Sequence, residues 1–134
     1  MRMFKKLALP LIVFTMLVTI VACGTFNQNS YRAMGIMEAS YDAGMKAAGD
    51  LRAKGLISDE GRQAIIDAGR EYMKAHNDSV DAFTAYLQAE DPHEKDQLKH
   101  QYIAASRVTL SFYSAVMAIL SKSGYVGETV EPWF

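Results

Sequence analysis

Few side chains in this 134-residue chain could do chemistry: three histidines, one cysteine, eight methionines and scattered acids. His93, Glu94 and His100 fall within "DPHEKDQLKH", where a spacing of seven puts the two histidines on one side of a helix, about two turns apart. A metal site needs three or four converging donors. The chain has no H-E-x-x-H, no second histidine one turn away and no cysteine besides Cys23, so this segment reads as a solvated helix start. His76 lies between Tyr72 and Val80 on an apolar stripe. A half-buried imidazole bonded to a tyrosine hydroxyl or a backbone carbonyl is the expected reading. A pH sensor is the sharper one, since the unperturbed pKa lies near 6.5. The thioethers of Met34, Met37, Met45, Met73 and Met117 could form a soft-metal or adaptable apolar surface, yet they recur at the spacing of a helical core. Asp42, Asp50, Asp67, Asp81 and Glu90 fall mainly on outer faces and pair in no evident cleft. There is no glycine-rich phosphate cradle and no C-x-x-C-H haem attachment. The expectation is a protein without catalytic residues, metal or cofactor.

Cys23 has a different context. It ends "MRMFKKLALPLIVFTMLVTIVAC", in which Arg2, Lys5 and Lys6 precede the uncharged run from Leu7 to Ala22. That run is shorter than the roughly 20 residues needed to span a bilayer core, and Pro10 and Thr19 weaken it. The pattern is that of an export signal. Its last residues, Ile20, Val21, Ala22 and Cys23, resemble the lipobox of bacterial lipoproteins. The resemblance implies cleavage before Cys23, a diacylglyceryl group on its thiol and acylation of the new amino terminus. Otherwise Cys23 is a small buried hydrophobe or a free thiol behind a plain signal. With one cysteine the chain forms no internal disulfide framework, so packing alone must stabilise the domain.

Each buried methylene contributes about 0.8 kcal/mol, and stable anchoring takes at least two lipid signals. Two or three acyl chains on one residue would make the tether effectively permanent. The resemblance extends to address: an Asp directly after the cysteine holds enteric lipoproteins at the inner membrane, and Gly24 is not Asp. A cell-envelope location at the outer membrane, facing the periplasm, is the expectation. Beyond residue 22 the chain keeps all fifteen acids but only eleven of its fourteen bases, a formal charge of -4. That sign gives no footprint for phosphates or anionic lipid, which argues against nucleic acid as a partner.

The elements that must position these residues read as helix throughout. The expected fold is all-α, an antiparallel three-helix bundle after a cleaved N-terminal signal helix. Residues 1–22 form the signal, 23–29 a lipidated linker, 30–124 the bundle and 125–134 an irregular tail. The first helix spans about 30–54, with Met34, Met37, Tyr41, Met45, Ala48 and Leu51 on one face. Its many glycines and alanines predict a closely approaching neighbour. Gly55 suits a left-handed C-cap, and Ser58 an N-cap. The second helix, about 59–90, is traced through Ile65, Ala68, Tyr72, His76, Val80, Phe83 and Leu87, continuous across the polar "HNDSV". Asp91, Pro92 and Glu94 make a capping-box start for the third, about 92–123.

The third helix carries two stripes. Leu98, Tyr102, Ala105, Thr109, Phe112, Val116 and Ile119 form the first. Ile103, Leu110, Tyr113, Met117 and Leu120 form the second, which either completes a wide buried face or stays exposed to bind a partner or a second copy. In the tail "YVGETVEPWF", Trp133 and Phe134 either close the end of the bundle or dock on another envelope protein. The leading expectation is a protein that acts by contact. The alternatives are a binding protein for a small apolar ligand or metal within the bundle, and a phage or mobile-element lipoprotein that blocks a receptor or assists lysis.

Overall fold

A computed structural model describes residues 25–127. Cys23, Trp133 and Phe134, with the readings placed on them, lie outside the described residues. The chain divides into two compact units at Ala33/Met34, and the second, from Met34 onward, holds the three-helix assembly considered below. The fold is all-α: helices α1 (Phe26–Ala53), α2 (Asp59–Gln88) and α3 (Pro92–Lys122), with no strand among the described residues.

Each boundary has a local cause. α1 begins four residues earlier than the periodicity suggests, because Thr25 and Gln28 cap it reciprocally: the Gln28 N–H donates to Thr25 Oγ1 at 3.3 Å and the Thr25 N–H to Gln28 Oε1 at 3.4 Å. The expected linker over 23–29 is therefore largely helix. α1 stops where Gly55 takes φ 72°, a conformation that costs glycine little. The N–H of Leu56 then reaches back to the Leu51 carbonyl at 2.9 Å. Ser58 caps α2 by accepting from the Gly61 N–H at 3.1 Å, and Asp91 caps α3 by accepting from the Glu94 N–H at 2.8 Å. α2 ends at Gln88, two residues short of the expected 90, and runs unbroken through residues 76–80. An ion pair between Arg52 and Asp59 spans the first turn, where Arg52 also donates to the Ile57 carbonyl at 2.6 Å.

The core joins Met37, Tyr41 and Ala48 of α1 to Ile65 and Tyr72 of α2 and Tyr113, Val116 and Leu120 of α3, with Ile57 sealing one end. Tyr41 opposes Tyr72 while Arg52 opposes Asp59, so α1 and α2 are antiparallel. Tyr102 meets Phe83 at 5.2 Å between ring centroids while Ile119 approaches Gly61, so α2 and α3 are antiparallel too.

At the centre, the rings of Tyr41 and Tyr72 stack 3.8 Å apart at 9°. The Tyr41 hydroxyl enters a notch at Gly69, where a Cβ would lie 2.5 Å from it. A second notch, at Gly44, accepts the Met117 methyl. Close packing of this kind sets the buried face of α2, which comprises Ile65, Gly69, Tyr72, Ala75, Ser79 and Phe83. Val80 and Leu87, which the periodicity puts in the core, are 36 % and 37 % exposed. Small residues occupy the buried positions because rings from neighbouring helices need the space.

Two consequences can be measured by urea denaturation. Gly69→Ala should destabilise the protein by about 1–3 kcal/mol, the usual range for overpacking, because a ring held in a stack cannot yield. At Gly49, where nothing lies within 4 Å, the same change should stabilise by about 1 kcal/mol through helix propensity alone.

Burial raises the Tyr72 phenol far above its ordinary value, with Tyr41 and then the charges of Glu38 and Asp42 adding to the shift. Tyr41 is raised as well, by burial first and Asp42 second. Below about pH 10 both phenols are protonated whether folded or unfolded. As pH climbs toward the folded values the unfolded chain loses these protons first, so stability declines. The Tyr72 hydroxyl is buried without a hydrogen-bond partner. Tyr72→Phe should therefore be neutral or stabilising by about 1 kcal/mol at pH 8 and should flatten the alkaline decline in urea midpoints between pH 9 and 11.

Candidate functional site

The histidines predicted to flank the start of α3 are not brought together. His93 Nε2 contacts Gln97 Nε2 at 3.1 Å, and His100 Nδ1 lies 2.8 Å from the Asp96 carbonyl and 3.5 Å from its carboxylate. Each is exposed and partnered within its own helical turn. Among the described residues no group of three His, Cys, Asp or Glu side chains converges on a metal-sized point.

The second stripe of α3 divides. Tyr113 and Leu120 are 3 % and 0 % exposed and belong to the core. Leu110 and Met117 pack against that core, and Ile103 is half-buried. As a free docking face the stripe is corrected: α3 touches both other helices, and these side chains fill the gaps between them.

The exposed face of α3 lies on its opposite side. Ala104, Val108, Ser111, Ala115 and Ala118 recur at spacings of four and three and are all exposed. Over residues 103–120 Arg107 is the one charged residue. This surface is shallow because alanine and serine barely project from the backbone. α3 is also long and apolar enough to cross a membrane by length and composition, with a window of mean hydropathy 1.6. Hydrophobic periodicity does not reveal this face, because it carries no large apolar side chain other than Val108. Its signal was an absence of charge along an otherwise unremarked side.

Concavities among the described residues include three. One of about 330 Å³ lies between α1 and the start of the tail, lined by Ala39, Ser40, Ala43, Tyr125 and Val126. Another, of about 290 Å³, combines Met45, Ala48, Ile57 and Ile65 with Arg52 and Arg62 at the α1–α2 turn. The smallest, about 10 Å³, is lined by Met34, Met37, His76, Ser79, Ser106 and Thr109. His76 stands at this cavity with its ring parallel to that of Tyr72, at 5.8 Å and 6°.

Comparison with known proteins adds no relative: no family model, no curated protein and no solved structure matches this chain.

Proposed function

We propose that this chain is a small lipid-anchored protein of the bacterial cell envelope, held at the outer membrane facing the periplasm, that acts by contact and not by catalysis. Its role would be that of a structural accessory or adaptor. The tether rests on the lipobox resemblance at Ile20-Val21-Ala22-Cys23. From Cys23 to the start of α1 at Phe26 is a span of at most about 11 Å, so a lipid on Cys23 would hold the first turn of α1 close to the leaflet.

The observation that carries the contact reading is the outer face of α3. A helix face turned to water normally carries charge, whereas Ala104, Val108, Ser111, Ala115 and Ala118 present none. Small side chains let a second backbone approach closely, as in small-xxx-small helix pairs. A face built to lie in lipid would instead carry bulky Leu, Phe or Trp. The surface therefore suits a helix, from an envelope protein or from a second copy of this chain.

Photo-crosslinking in the native membrane tests this. A photo-reactive residue at Ala115 should capture one distinct protein or a second copy, and the same residue at buried Leu120 should not. Ala115→Arg should abolish capture at Ser111 while changing stability by no more than about 0.5 kcal/mol, as surface substitutions do. Absence of any product from Ala104, Ser111 and Ala115, in protein whose intact mass shows a lipidated Cys23, would sink the reading.

A further inference from the structure

The smallest cavity has a chemistry of its own. Met34 and Met37, three apart on α1, are neighbours on one helix face. His76 comes from α2, and Ser106 and Thr109 from α3, so all three helices line a space of about 10 Å³. That volume admits a single atom or one water and no organic ligand.

The hydrogen-bond inventory is one-sided. Ser79 Oγ donates to the His76 carbonyl at 2.7 Å, and Thr109 Oγ1 donates to the Ala105 carbonyl at 2.9 Å, so both hydroxyl protons are engaged. Ser106 Oγ is buried without a partner. The lining thus offers lone pairs from two thioethers, one imidazole nitrogen and three hydroxyls, against two uncommitted protons, the Ser106 O–H and the imidazole N–H. Such a pocket is complementary to an electron-pair acceptor. It contains no carboxylate or thiolate, so a divalent ion would leave two charges uncompensated in a buried site. Thioether and imidazole donors together favour a soft, monovalent ion.

We infer that this cavity is a binding site for a soft d10 monovalent cation, Cu(I) or Ag(I), coordinated by the thioether sulfurs of Met34 and Met37 and by the His76 imidazole, with Ser106 and Thr109 also in its lining. The contact role proposed for the outer face of α3 neither requires this site nor supplies it.

The probe is Ag(I), which needs no reductant, added to the full chain carrying Cys23→Ser so that no thiol competes. Native mass spectrometry should show one silver ion per chain, with a rise in melting temperature. Met37→Leu and His76→Leu should each weaken binding at least tenfold. Both keep an apolar side chain in place, and circular dichroism would verify that each variant is folded. Met73→Leu, which alters a half-exposed thioether on α2, should leave the affinity unchanged. Unaltered affinity in a folded Met34→Leu/Met37→Leu double variant would overturn the inference, and so would a Cys23→Ser chain that binds no silver.

Discussion

The approach of α1 to α2 is governed by one contact: the Tyr41 ring lying flat on Tyr72 with its hydroxyl in the space left by the missing side chain of Gly69. Stacked aromatic pairs contribute roughly 0.5–1.5 kcal/mol beyond the area they bury, and here the stack also sets the interhelical distance. Ala75 and Ser79 occupy core positions on α2 because larger residues would hold the helices apart. Tyr113 and Leu120 can then seal the third side. The Tyr72 hydroxyl, buried without a hydrogen-bond partner, is a cost of the arrangement.

Much of the architecture was legible in the sequence. Ser58, Asp91, Pro92 and Gly55 are chemical punctuation, and each does locally what its type dictates. The buried face of α1, with Met37, Tyr41 and Ala48, also follows from spacing. The middle of α2 was misread because periodicity arguments weight size, and its inner face is built from glycine, alanine and serine. The polar Thr25 and Gln28 hid the start of α1, since a reciprocal cap shows up only when both partners are read together. On α3 the two large-residue stripes merge into one wide buried face, while the outer face is visible only as missing charge. The small cavity could not have been anticipated, because its six lining residues come from three helices.

Those two features pull apart what an all-helical bundle usually combines. The interior is not uniformly apolar: a pocket rich in lone pairs lies within it, next to the aromatic stack that holds the helices together. The exterior is not uniformly charged: α2 displays Asp67, Arg70, Lys74 and Asp78 in local ion pairs, whereas α3 shows water a nearly neutral strip. Surface ion pairs contribute little to stability, and the value of the α2 charges is in keeping that side solvated. Under the proposed contact role, association would thereby be directed to α3.

The reciprocal cap at Thr25 and Gln28 has a consequence for encounter. If Cys23 carries lipid, the first turn of α1 begins within three residues of the leaflet, with no slack chain between them. The protein would then search for partners by lateral diffusion in two dimensions, within a thin layer above the headgroups. Tethering of this kind raises effective concentration for partners held in the same layer and none for those in bulk solution. A weak helix-to-helix affinity would suffice there, and a shallow face of alanine and serine, with little apolar area to offer a stranger in solution, suits that regime.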